Sequence, residues 1–240
     1  MKIIDHLIAT LDFDAQVREI RQGVFDTAVL TRNCGIAATL PHDALRQKPP
    51  LVRNPGSLHL KDAHQLVQMA HSDSILEAAI GMATINSLLR IDTDRCRELN
   101  AAELIAEKAE KKRVAIVGHF PFVPKIKKCA ASLVVIEKNP QPGDEAEHRA
   151  ADLIPEADVV AITGAALTHH TLEELLSLCD PKAFVLLLGP TAPLSPLLFD
   201  YGVDAISGTR VVEPETALRC ISQGANYRQI KGVQRLTLLK

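Results

Sequence analysis

Val114-Ala115-Ile116-Val117-Gly118-His119-Phe120-Pro121-Phe122 decides how the rest of this chain is read. Four apolar residues without polar alternation predict a strand buried on both faces. Gly118 ends that strand, and a histidine follows where the chain turns away. Towards the C-terminus the unit recurs, with short apolar runs at Leu133–Glu137, Val159–Thr163, Phe184–Leu188 and Ala205–Ser207. Helical segments at Val123–Cys129, Ala146–Leu153, Thr171–Leu178 and Ser195–Tyr201 separate them. A helix at Ala101–Lys112 precedes the series, another at Pro214–Gly224 follows it, and Val233–Leu239 reads as a closing strand. Buried strands alternating with helices predict a parallel α/β sheet.

Towards the N-terminus the texture changes. From Met1 to about Ala15, the residues Ile4, Leu7, Ile8 and Leu11 fall at helical spacing. Val17–Gln22, Phe25–Thr31 and Gly35–Leu40 are close enough together to predict an antiparallel meander. Pro41–Leu60 carries four prolines and reads as an extended crossing of the surface, followed by helices at Asp62–Ala70 and Ser74–Leu89. The boundary falls near Ile91–Asn100. The expectation is an α+β domain at residues 1–95 and an α/β domain at residues 96–240.

Composition excludes several classes of function. The 240 residues include 27 Lys and Arg against 29 Asp and Glu, a net charge of −2, so no global basic field draws the chain to nucleic acid or acidic lipid. Six Phe, two Tyr and no Trp are too few to build stacking platforms for bases. The longest apolar run, Ala183–Leu188, is too short to span a bilayer. Asp5 and His6 interrupt the N-terminal apolar stretch and no small-residue cleavage site follows, so a cytoplasmic location is expected. Five scattered cysteines without a Cys-x-x-Cys pair argue for reduced thiols.

In open α/β sheets, ligands bind beyond the carboxyl ends of the strands. Those ends carry Gly118 and His119, then Glu137, then Thr163, then Gly189 and Thr191, then Ser207 and Gly208. Gly118 stands alone rather than in a G-x-G-x-x-G turn, and Pro121 and Pro124 remove amide donors, so a pyrophosphate cradle is disfavoured. Glu137 suits ribose hydroxyls, or is a solvated partner of Lys138. Thr171 and Glu174 form a capping-box pattern directly after His169-His170. That histidine pair could ligate a metal or move protons, or hold one imidazole packed and one in solvent. Ser195-Pro196 has the pattern of a helix N-terminus. Gly208 allows a positive φ or a close backbone approach. No nucleophile elbow, H-E-x-x-H or Walker loop is present, so no reaction is assigned.

Taken together, Gly118-His119-Phe120-Pro121-Phe122, Thr163-Gly164 with Leu172-Glu173-Glu174-Leu175-Leu176, Gly189-Pro190-Thr191-Ala192-Pro193-Leu194 and Gly202-Val203-Asp204-Ala205-Ile206-Ser207-Gly208 resemble a prokaryotic family of uncharacterised proteins named for heavy-metal chelation. Gly81-Met82-Ala83-Thr84-Ile85-Asn86 fits the same resemblance, which covers essentially the whole chain. It implies a small domain similar to the N-terminal domain of enolase, followed by a Rossmann-like parallel-sheet domain. It implies no enolase activity, because 240 residues leave no room for the barrel that carries that chemistry.

The expected function is binding of a small molecule, or of a metal ion or metal complex, in the cleft between the domains. His119, His169 and His170 are the expected metal ligands, with Glu137 as a further donor and Asn86 and Thr191 as orienting partners. Imidazole with carboxylate suits a divalent transition metal such as zinc, nickel or cobalt. A nucleotide-type ligand is the alternative: an enzyme using a nucleotide or S-adenosylmethionine, with Glu137 on the ribose and the N-terminal domain capping the substrate. A homo-oligomer stays open. Phe120, Phe122, Phe199 and Tyr201 follow the first and fourth strands, so they are expected to wall the cleft.

Overall fold

The computed structural model describes residues 1–48 and 51–240. The apolar runs form a mainly parallel eight-stranded sheet in the order β4-β11-β10-β9-β8-β5-β6-β7. Its central strands are β5 (Arg113–Val117), β6 (Ser132–Glu137), β8 (Val159–Thr163), β9 (Phe184–Leu188) and β10 (Ala205–Val211). These pair in parallel, as does the two-residue edge strand β7 (Glu145–Ala146) with β6. β11 (Val233–Leu239) runs antiparallel to β10, and β4 (Cys96–Arg97) closes that edge. The short edges β4 and β7 carry too few residues to show an apolar pattern.

Successive strand residues alternate between two cores, as the period-2 geometry of a strand requires. Ala115, Val160, Ile162, Val185 and Leu187 face one core, which they share with Ile3, Leu66 and Ile80 of the N-terminal half. Val114, Ile116, Val159, Ala161 and Leu186 face the other, under helix α5 (Ala101–Ala109) and short helix α6 (Val123–Ile126). The N-terminal half therefore acts as one covering layer of the large sheet.

That half begins with α1 (Lys2–Ala9), which ends well before Ala15, and continues as the antiparallel sheet β1 (Glu19–Gln22), β2 (Asp26–Leu30) and β3 (Cys34–Ala38). After α3 (Ala63–Val67), helix α4 (Ile75–Leu88) packs on β2 and β3 and is buried nearly all round. The opposite face of the small sheet meets the helix Pro214–Ser222: Ala28, Cys34 and Ile36 pack with Ala217, Leu218 and Ile221. Each half thus completes the other's core.

Three local expectations are corrected. Within the stretch expected to be extended, Pro41 opens a helix, α2 (Pro41–Arg46), because its fixed φ suits a first helical position; residues 49 and 50 of that stretch lie outside the described residues. The capping box at Thr171 does not form. Thr171 is already helical (φ −102°, ψ −7°), away from the extended geometry a capping side chain needs. Ser195 likewise makes no side-chain cap, and only a 3-10 helix follows it, at Pro196–Tyr201.

Candidate functional site

The strand order reverses around β5: β6 lies on one side and β8 on the other. Crossovers diverge at such a switch point and leave a crevice beyond the carboxyl ends. A cleft of about 240 Å³ occupies that position, and Gly118, His119, Glu137, Thr163 and His169 all line it. Leu40, just before α2, and Asp43 within it form its N-terminal wall. It opens into an outer groove of about 460 Å³ that shares Leu40, Asp43, His119 and Glu137 and adds Arg46 and Asn139.

Gly118 makes the turn out of β5 at φ +102°, in the left-handed region where a side chain is strained. A Cβ there would also meet the Thr163 side chain at 3.1 Å. His119, the next residue, is held at both ends. Its backbone N–H donates to Glu137 Oε2 at 2.8 Å, and its Nδ1 lies 2.9 Å from Asp144 Oδ2. The Asp144 side chain is 4% exposed, whereas that of His119 is 33% exposed. A carboxylate accepts only, so the proton of the neutral ring sits on Nδ1. Nε2 has no hydrogen-bond partner among the described residues.

Asp144 is placed by its own turn. Gln141-Pro142-Gly143-Asp144 closes through the Asp144 N–H on Gln141 O at 2.9 Å, with Gly143 at φ +96°. Proline then glycine at the two central positions is the signature of a type II turn. Asp144 Oδ2 also accepts from the Gln141 N–H at 3.0 Å. The turn leads into β7, whose Glu145 pairs with Ile136, and this brings Asp144 alongside the ends of β5 and β6.

His169 is engaged on both ring nitrogens. Nε2 lies 3.0 Å from Asp43 Oδ2 and Nδ1 lies 3.4 Å from Lys138 Nζ. The Nε2–H donates to the carboxylate, and Nδ1 accepts from the ammonium group. Burial, followed by the charge of Lys138, pushes the imidazole below its ordinary pKa against the opposing pull of Asp43 and Glu147. Asp43 also accepts from Asn139 Nδ2 at 3.3 Å, and Arg46 hydrogen-bonds Asn139 Oδ1. These polar contacts dock α2 on the cleft. Glu137 is committed as well, since its Oε1 accepts from the Lys138 N–H at 3.1 Å.

The remaining expected site residues lie outside the cleft, for physical reasons. His170 adopts φ +60°, which swings its ring from His169, and its Nε2 donates to Ala70 O at 2.7 Å. It fastens the two halves and joins no ligand set. Asn86 Nδ2 donates to Ile36 O at 2.9 Å and to Thr191 O at 3.3 Å. Thr191 Oγ1 accepts from the Ala38 N–H at 2.9 Å, fully buried. Ser207 pairs with Thr237 across the sheet at 2.7 Å. Gly189 turns the chain at φ +116°, and Gly208 permits a close approach, since a Cβ would stand 2.7 Å from Ala192 O.

Of the four aromatics expected at the wall, Phe120 alone lines the cleft. Phe122 stacks on it at 5.0 Å, Phe199 is buried in the core, and Tyr201 reaches His6 on α1 at 2.5 Å. Asp43, Asp144 and Glu147 were not anticipated from sequence. The Pro142-Gly143 turn was the one available signal for Asp144.

These donors do not assemble a bare-ion site. Among the described residues, no group of three or more His, Cys, Asp or Glu side chains is placed to hold a metal ion. The expected trio of His119, His169 and His170 is broken up by the Asp43–Lys138 and Ala70 contacts. The five cysteines are free thiols, and no helix among the described residues is long and apolar enough to cross a membrane.

Comparison with known proteins agrees with the fold. A crystal structure of a protein of unknown function from Desulfitobacterium hafniense superposes with a TM-score of 0.84 at 24% identity, covering 100% of this chain and 97% of that one. One from Pyrococcus horikoshii also gives 0.84, at 22% identity, covering 100% and 98%. Both belong to the DUF364 family. An uncharacterised protein of Methanocaldococcus jannaschii is 29% identical over 185 residues, which cover 73% of this chain and 70% of that protein. Residues 4–89 match the family model DUF4213, and residues 100–240 match DUF364; both carry the description "Putative heavy-metal chelation". With more than half its length matched by the second model, this chain belongs to the DUF364 family.

Proposed function

We propose that this protein binds a small polar molecule carrying a divalent transition metal, a metal complex rather than a bare ion, in the cleft between residues 1–95 and residues 96–240. The observation that carries the reading is His119. It is clamped at its backbone by Glu137 and at Nδ1 by Asp144, which leaves Nε2 as one open imidazole donor at the switch point. One nitrogen cannot satisfy a metal ion, but it can complete the coordination of an ion that brings most of its own ligands.

Charge supports the same reading. Asp43, Glu137 and Glu147 line the inner cleft against Lys138, so the site favours a cationic or metal-bearing guest. The description shared by both matching family models, heavy-metal chelation, points the same way. A nucleotide held through Glu137 has less support, since both its carboxylate oxygens accept amides of the chain itself.

The test is calorimetric titration at neutral pH with nickel, cobalt and zinc. Each is offered as the free ion and as its iminodiacetate complex, which already fills three coordination positions. The reading predicts one site for the complex, lost in His119→Ala. Equal affinity in wild type and His119→Ala would reject it.

A further inference from the structure

We infer that Asp144 is a positioning residue of this site, fixing the tautomer of His119 so that Nε2 presents a lone pair to the ligand. The inference rests on the proposed reading of the cleft and deepens it. An isolated imidazole prefers to carry its proton on Nε2, the nitrogen that would then be unable to coordinate. A carboxylate against Nδ1 reverses that preference, and such partners also raise the basicity of the opposite nitrogen. Asp144 has the geometry for this work: 2.9 Å from Nδ1, with its side chain 4% exposed, so water competes little for the contact.

Asp144 is itself held. The Gln141 N–H donates to the same oxygen at 3.0 Å, and the Pro142-Gly143 turn is tied to the sheet through β7. The carboxylate therefore cannot swing away without opening the turn. His119 is equally constrained, because the Glu137 clamp on its N–H leaves the ring little freedom beyond side-chain rotation. No other side chain among the described residues touches a ring nitrogen of His119. The tautomer is thus set by this one contact.

The experiment reads the imidazole nitrogens directly. Long-range proton–nitrogen NMR spectra of the full chain, uniformly labelled with nitrogen-15 and free of ligand, distinguish the two neutral tautomers. The wild type is expected to show the Nδ1–H form at His119, and Asp144→Ala the Nε2–H form. The iminodiacetate complex of nickel should bind Asp144→Ala about 10–100-fold more weakly. Asp144→Leu keeps the side-chain shape but offers His119 Nδ1 no acceptor, and serves if the alanine variant loses its turn; backbone amide spectra report the fold of both.

An Nε2–H tautomer in the wild type, or an unchanged tautomer in both variants, would overturn the inference. So would a tautomer that flips while affinity for the nickel complex stays constant. A flip in the variants with no binding by the wild type would instead reject the metal-complex reading and leave the placement of the His119 proton by Asp144 intact.

Discussion

At the carboxyl ends of β5 and β6 the chain leaves room; at the carboxyl ends of β9 and β10, along the same edge, it leaves none. Both regions present glycines and small polar residues. At β5 and β6 the strand order reverses and the crossovers diverge, and Gly118, His119 and Glu137 border a cleft. At β9 and β10 the segment around Thr191 and Ala192 is pressed against its surroundings. A Cβ on Gly164 would stand 2.5 Å from Ala192 N, and Thr191 and Asn86 spend their hydrogen bonds on joining the two halves. Polar side chains at strand ends are therefore accessible to a ligand only where the topology opens a space. Where a second layer caps the edge, the same residue types become fasteners.

The sealed region answers to stability, and its largest expected effect is electrostatic. Asp26 is paired in register with Ala38, whose N–H meets Thr191, and burial pushes its carboxyl pKa up to about 7. The unfolded chain releases that proton near its ordinary value, so it binds fewer protons than the native chain between the two. Stability from this group is complete below about pH 4 and falls as the pH rises towards 7, by roughly 4 kcal/mol in total. Asp26→Asn should remove that loss, seen as a flatter pH dependence in urea denaturation. An unaltered slope would show that Asp26 ionises freely in the native state.

Next in size, Gly164→Ala forces backbone against backbone and should cost about 3 kcal/mol, measured the same way. Thr191→Val keeps the shape but strands the Ala38 N–H, for a loss of about 2 kcal/mol. Lys138→Ala, at the open end, should change stability by less than about 0.5 kcal/mol, because the side chain is exposed and its one contact is long. Comparable losses at both ends would erase the distinction between them.

A last effect, of stated direction, belongs to His169. Its native pKa is lowered by burial and by Lys138, so below about pH 6.5 the unfolded chain takes up a proton that the folded chain refuses. Stability is fully present above that value and declines as the pH falls through it. His169→Gln should flatten this acidic limb, and an identical limb in the variant would assign it to another group.

The large sheet was legible because its central strands are built on short apolar runs, and Val159–Thr163 and Phe184–Leu188 begin and end where the sequence predicts. The position of Gly118, His119 and Glu137 at the cleft was legible because a crevice opens beyond the carboxyl ends of parallel strands. Asp144 escaped because it depends on β7, a two-residue strand with no periodicity to detect. His170 misled because the residue type says nothing of φ, and at +60° its ring leaves its neighbour's side of the chain. Thr191 and Asn86 misled because a donor or acceptor for a ligand and one for the opposite half of the chain are the same chemical group.

Titration of the nickel–iminodiacetate complex into wild type and His119→Ala tests the open cleft most directly. The expected result is a single site in the wild type, weakened about 100-fold or abolished in the variant, with both proteins equally stable. Equal affinity in the two proteins would contradict the assignment of His119 Nε2 as the donor that makes this cleft a binding site.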